Sequence, residues 1–234
     1  MSSTSNDPTP LAICIETRHA LQAVAEHVVC AARYASAGRI GLLAAPGGFA
    51  APPFPTDHGD RTITVEGREL VVRDGRGERR TPLTTVRDAA AFAEVAPGAP
   101  TEVFTPTTAL APDEPLAIDA TAAAGLAAWW TLGAAAFAAF ATEHPEDSPA
   151  PAQLWPEHFD LGGAIGDVNY GASPGDEGHE LPYLYVGPWD APEQDDFWNR
   201  PFGALIAATE VPDLNAALDF FREGRRRLEA PAGA

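Results

Sequence analysis

The chain contains no lysine, and all 15 of its basic side chains are arginine. That absence excludes Schiff-base chemistry and any phosphate loop that depends on a lysine. Basic charge is scarce as well as restricted in kind. Against 33 acidic residues it leaves a net charge of −18. Nucleic acid and anionic membrane surfaces are held by concentrated basic patches. Neither is expected as a partner. The two cysteines, Cys14 and Cys30, are too few for a disulfide framework or a cysteine-rich zinc site. A reducing cytoplasm is the expected location. The opening MSSTSNDPTP lacks the basic-then-apolar order of a secretory leader, and residues 1–10 read as a disordered tail. One long stretch has no charge at all, Ala120–Thr142, and it is long enough to span a bilayer. Most of it is alanine, which gains little from transfer into lipid, and no basic residue flanks it to set an orientation. It is expected to be a buried helix of a soluble protein.

What is present supports a folded domain. Apolar residues make up 45% of 234 positions, enough to bury a proper core. Leu11–Ile15 alternates like a strand, and Thr17–Tyr34 has helical spacing, with Leu21, Val24, Ala25, Val28 and Ala32 on one face. His19, Glu26, Cys30 and Arg33 fall on the opposite face, which is expected to be solvated rather than metal-binding. Arg39–Ala44 reads as a strand, and Pro46–Pro55 as an irregular loop. Arg61–Glu66 and Glu69–Arg73 form a hairpin around Gly67. Arg73–Arg80 reads as a turn of clustered positive charge, followed by a helix over Thr84–Val95. The N-terminal half is thus 11–96, and the proline-rich run 97–118 reads as a linker.

The C-terminal half, 119–229, opens with Asp119 as a helix cap for the alanine-rich run. Phe159–Gly166, Val168–Ser173, Tyr183–Gly187 and Gly203–Ala208 read as short strands. Asp213–Leu228 reads as a helix whose apolar face is Leu214, Ala217, Leu218, Phe221 and Leu228. The expected fold is α+β, with mostly antiparallel sheet and the alanine-rich helix packed on a glycine-bearing sheet face. Gly162, Gly163 and Gly187 would admit the helix closely. Both halves run helix, strands, helix, and PGGFAAP loosely echoes NYGASPG, a hint of internal duplication.

Chemistry-bearing side chains concentrate in Gln153–Trp189. Glu157-His158-Phe159-Asp160 is the densest cluster. On a strand, His158 and Asp160 would share one face, as a general base with its orienting carboxylate or as two ligands of a divalent metal. These two are the candidate catalytic residues. Trp155, Glu157, Asn169, Tyr170, His179, Tyr183, Tyr185 and Arg200 are the candidate ligand-binding set. The spacing is not diagnostic of a zinc motif, so the cofactor is left unknown, with a divalent metal among the options. Asp167, Asn169, Asp176 and Glu180 offer oxygen ligands without the calcium-loop pattern. Gly171–Gly175 matches the nucleophile elbow in letters. It fails in mechanism, because Pro174 has no N–H to donate to an oxyanion.

The runs LWPEHFD, NYGASPGD and PYLYVGPW, with TRHALQAVAEHVV and GRIGLLAAPGGF upstream, resemble actinobacterial proteins carrying a domain of unknown function of the DUF5996 type. The arginine-only, alanine-rich usage fits such a high-GC source. The resemblance implies no activity, cofactor or residue role. Three functions therefore stay open from the residues. The first is small-molecule binding in an aromatic-lined pocket with His/Asp polar groups. The others are a metal-dependent or His/Asp acid–base enzyme acting on a small organic substrate, and a non-catalytic acidic interaction protein.

Overall fold

The computed structural model describes residues 9–229. The expected N-terminal tail, 1–10, lies mostly outside that range. Its last two residues, however, start the first helix. Thr9 caps α1 (Pro10–Val24) by accepting from the Ala12 N–H, and Pro10 occupies the first helical turn, where a missing N–H costs nothing. The strand expected over Leu11–Ile15 is therefore helical. Five alternating residues fit helical spacing equally well, and the cap decides. α1 continues without a break through a π-helical stretch, Ala25–Cys30, into α2 (Ala31–Ala37). Gly38 ends it in the left-handed conformation, at φ 63°.

Six strands make the first sheet. They are β1 (Leu43–Ala45), β2 (Gly48–Ala50), β3 (Phe54–Thr56), β4 (Gly59–Glu66), β5 (Glu69–Asp74) and β6 (Gly77–Pro82). The order is β1-β2-β4-β5-β6, all antiparallel, with β3 folded back onto β4. The loop expected over Pro46–Pro55 thus contains β2 and the start of β3. The expected basic turn is mostly strand too. Only Gly75 and Arg76 turn, and the register sets Arg73 against Glu78. Its positive charge is neutralised by Asp74, Glu66, Glu78 and Glu94. α3 (Val86–Ala93) follows, capped by Thr85.

α4 (Ala120–Glu143) begins where expected, with the Asp119 side chain accepting from the Ala122 N–H. The second sheet is a simple antiparallel meander of β7 (Gln153–Trp155), β8 (Asp160–Ile165), β9 (Val168–Ser173), β10 (Tyr183–Pro188) and β11 (Ala204–Ala207). α5 (Leu214–Glu229) closes the chain. Its buried face uses Ala217, Leu218 and Phe221 as expected and adds Phe220, while Leu214 is exposed. The fold is α+β, with two antiparallel sheets and one long helix.

α4 belongs to two cores. Ala123, Leu126 and Trp130 pack into the first, beside Phe49, Val65 and Leu70. Trp129, Phe137 and Phe140 pack into the second, beside Tyr170, Val186 and Phe221. Leu154 and Leu161 of the second sheet, and Phe159 of the turn between their strands, enter the first core. An antiparallel bridge, Leu42 to Leu154, also joins the sheets. By length and composition α4 could cross a membrane, yet half of its most apolar window is buried inside the fold. The two halves share an element order, but PGGFAAP begins at the β1–β2 turn and runs on past β2, while NYGASPG begins within β9 and ends in the loop after it, so the echo between them is not structural equivalence.

The proline-rich run is not a free spacer. Glu26, completely buried, accepts from the backbone N–H groups of Thr107 at 2.7 Å and Thr108 at 3.0 Å, and from the Thr108 hydroxyl. His27 Nδ1 accepts from the Ala99 N–H at 3.1 Å, so its Nε2–H is the donor to the Thr108 carbonyl at 3.0 Å. On the helix face expected to be solvated, Glu26 and Cys30 are thus buried, Glu26 against this strap, while His19 stays exposed and Arg33 half-buried. The π turn makes six consecutive residues buried. Its extra residue shifts the helical register there, which a straight helical wheel does not anticipate.

Candidate functional site

Between the strap, α1 and one face of the second sheet lies a cleft of about 1200 Å³. Pleating decides which side chains reach it. Successive residues of a strand point to opposite faces. Leu161, Tyr170, Ala172, Leu184 and Val186 point to the core, and Asp160, Asn169, Ser173, Tyr183 and Tyr185 line the cleft.

Tyr185 makes the central contact. Across the sheet, Gly162 pairs with Gly171 and Gly171 pairs with Tyr185. A Cβ on Gly162 would lie 2.4 Å from the Tyr185 hydroxyl, and one on Gly171 would lie 2.5 Å from the ring. The two glycines therefore let the tyrosine lie flat across two strands. Its hydroxyl donates to Asp160 Oδ2 at 2.5 Å. Asp160 is only 9% exposed, and its Oδ1 has no hydrogen-bond partner among the described residues. Burial pushes this carboxyl above the ordinary range. The Tyr185 hydrogen bond and His158 pull the other way, and Glu157 adds to the rise. Burial and the adjoining carboxylate likewise raise Tyr185 well above an ordinary phenol.

A second pair sits beside it. Tyr183 donates to Asp176 Oδ2 at 2.5 Å, while Asp176 Oδ1 accepts from the N–H groups of Gly178 and His179. Burial opposes ionisation of Asp176, but these donors and Arg18 outweigh it and hold the carboxyl below its usual value. Arg18 is buried, and its Nη1 donates to the carbonyls of Glu180 at 3.0 Å and Pro174 at 3.4 Å. Gln22, one turn further along α1, donates to the carbonyls of Pro156 and Glu157. The Thr107 hydroxyl of the strap donates to the Glu157 carbonyl at 2.5 Å. Helix and strap together fix the turn that precedes Asp160.

That turn corrects one expectation. His158 and Phe159 are not in a strand. The chain turns through Pro156–Phe159, with the Phe159 N–H bonded to the Trp155 carbonyl at 2.6 Å. Phe159 sits in the left-handed region at φ 56°. Its ring is buried against Phe49 and Trp130, both edge-on, and that aromatic packing sustains the unfavourable backbone. His158 is consequently exposed at the rim and Asp160 is buried, so the two share no strand face.

Of the remaining candidates, Glu157, His158 and Asn169 line the cleft with Asp160, Tyr183 and Tyr185. His179 stands beside it, edge-on to the Tyr183 ring at 5.4 Å. Tyr170 lies on the opposite sheet face, against Phe140 and Phe221. Trp155 is on the edge strand with its indole N–H toward the Gly162 carbonyl. Arg200 donates to the Asn199 carbonyl, away from the cleft. Arg18, Gln22 and Thr107 join the site without having been singled out for it, and Asp176, named from the sequence only as an oxygen ligand, lines the cleft paired with Tyr183. Arg18 and Gln22 did leave a signal, as polar residues spaced i, i+4 beside the apolar stripe of α1. Thr107 left none, because proline-rich irregular backbone has no periodicity to read.

A metal needs converging donors. Among the described residues, only His144, Glu146 and Asp147 bring three His, Cys, Asp or Glu ligand atoms within 4.8 Å of one another. They lie outside the cleft, and Asp147 is paired with Arg225. Ser173 ends β9 with no helix after it, as the Pro174 argument against a nucleophile elbow requires. Comparison with family models, curated proteins and solved structures gave no match.

Proposed function

We propose that the chain binds a small organic molecule in this cleft, with the Asp160–Tyr185 pair as its polar anchor. One observation carries the reading. A buried carboxylic group with a free oxygen stands on the floor of a cleft large enough for a metabolite. Buried polar groups without partners are costly, and a ligand donor would complete this one. The surroundings suit organic ligands: Tyr183, Tyr185, Trp189 and Phe202 supply aromatic wall. A cytoplasmic setting accords with the two unpaired cysteines.

The raised Asp160 carboxyl supports a second reading of the same pair. A carboxyl that keeps its proton beyond the usual range can act as a general acid on a bound substrate. A ligand screen by thermal shift, followed by mass spectrometry of each stabilising compound after incubation, separates the two. Stabilisation without conversion supports binding alone, and conversion lost in Asp160→Asn supports catalysis. No stabilisation by any compound at millimolar concentration refutes both.

A further inference from the structure

The cleft is strongly biased in charge. Glu16, Glu114, Glu157, Asp160, Asp176 and Glu177 line it, against Arg18 and two imidazoles. Arg18 is already engaged with two backbone carbonyls and faces Asp176 and Glu180. Asp176 is likewise satisfied by a phenol and two N–H groups. Two acceptors of the cleft remain without a donor among the described residues: Asp160 Oδ1 and Glu157 Oε2, both shielded from solvent. Asp160 is more than nine-tenths buried and stands on the cleft face of β8.

Building on the small-molecule reading above, we infer that the ligand is an organic cation, an amine or guanidinium, whose N–H groups complete Asp160 Oδ1 and Glu157 Oε2. An ammonium offers three donors and a guanidinium five, with no acceptor to clash with the carboxylates. Tyr183 and Tyr185 flank the anchor, and their faces attract a cation as well as covering an apolar body. Trp189, 67% exposed, and Phe202, 42% exposed, extend the apolar wall at the cleft lining. A carboxylate or phosphate ligand would meet six acidic side chains, against one committed guanidinium and two imidazoles. A bare metal ion would find no three converging side-chain ligands there, among the described residues.

The test uses the full chain and three matched probe sets: amines (phenethylamine, benzylamine, agmatine), the corresponding alcohols, and the corresponding carboxylates. Binding is read by ligand-observed NMR and isothermal titration at millimolar probe. Amines should bind and the carboxylates should not. Asp160→Asn and Glu157→Gln should each weaken amine binding by about tenfold or more, the scale of one lost charge-assisted hydrogen bond. Both substitutions keep the side-chain shape, and Glu157→Gln serves if the buried variant fails to fold. Binding of alcohols or carboxylates as tight as that of amines overturns the cation inference and leaves the small-molecule reading standing. Unchanged amine affinity in both variants also overturns it. Silence from all three sets refutes both.

Discussion

At the scale of single residues, the site rests on placing one carboxyl where it cannot ionise freely. Because burial keeps the Asp160 proton on to higher pH in the folded chain than in the unfolded one, the native state binds more protons over the window from the ordinary carboxylate value up to the raised one. Stability therefore falls as pH rises through that window. Below it both states are protonated and the burden is absent. Asp160→Asn removes the titration while its amide oxygen can still accept from Tyr185. The variant should gain on the wild type as pH rises through the window, and the difference in melting temperature should be flat below it. A difference independent of pH would show that Asp160 does not titrate in this way. The neighbouring residues differ in kind. His158 is exposed and its side chain makes no hydrogen bond among the described residues, so His158→Ala should shift stability by no more than about 0.5 kcal/mol. Phe159 is fully buried between Phe49 and Trp130, and Phe159→Ala should cost about 3–5 kcal/mol in a denaturant melt. Adjacent letters in the sequence thus do opposite jobs. Alternation alone could not separate them, because the left-handed turn at Phe159 is sustained by rings distant in the chain.

At the scale of elements, the second sheet has two glycine-bearing faces, and the sequence disclosed only that glycines recur. Gly163 does admit α4: a Cβ there would lie 2.9 Å from the Phe137 ring. A closer fit of α4 on the sheet lies elsewhere, where a Cβ on Gly133 would meet that of Ala172 at 2.4 Å. Gly162 and Gly171 face the cleft and make room for Tyr185, and Gly187 meets the Phe202 carbonyl and Asn169 rather than the helix. Gly163→Val and Gly171→Ala should each destabilise by about 1–3 kcal/mol through overpacking. Only Gly171→Ala should also disturb the Asp160–Tyr185 pair, read as a changed pH dependence of melting. The strap is the other element that was hidden. The strands β8 to β11 were legible because their alternation and turn residues are local signals. The strap's order comes from Glu26 and His27, some eighty positions away in sequence, on a helix face whose register the π turn has moved. Glu26→Ala would leave three donors of Thr107 and Thr108 without their acceptor. At about 1–3 kcal/mol for a buried orphaned donor, the variant should lose at least about 2 kcal/mol. Loss of hydrogen-exchange protection at the Thr107 and Thr108 amides should localise the effect, and protection at wild-type levels would remove the strap's supposed anchor.

At the scale of the whole molecule, two demands on the same charges compete. A net charge of −18 repels itself in the compact state, and the arginines form many exposed ion pairs, such as Arg87 with Asp113 and Arg222 with Glu143. Exposed pairs contribute roughly 0–1 kcal/mol each. With fewer than half as many basic as acidic side chains, they cannot offset the excess. Raising salt from about 10 mM to about 150 mM shortens the screening length from about 30 Å to about 8 Å. Long-range repulsion is lost first, and close pairs are weakened less. The melting temperature of the protein without added ligand should therefore rise with salt. The acidic cleft should respond in the opposite sense, because an incoming amine is drawn by the field that salt screens. Its association rate should fall over the same range, with a smaller change in dissociation rate, as expected where charge steers encounter. Opposite salt slopes for melting temperature and amine association, measured by calorimetry and stopped-flow fluorescence, would tie the molecule's acidity to its cleft. A melting temperature that falls with salt would instead mean that the arginine pairs outweigh the net repulsion.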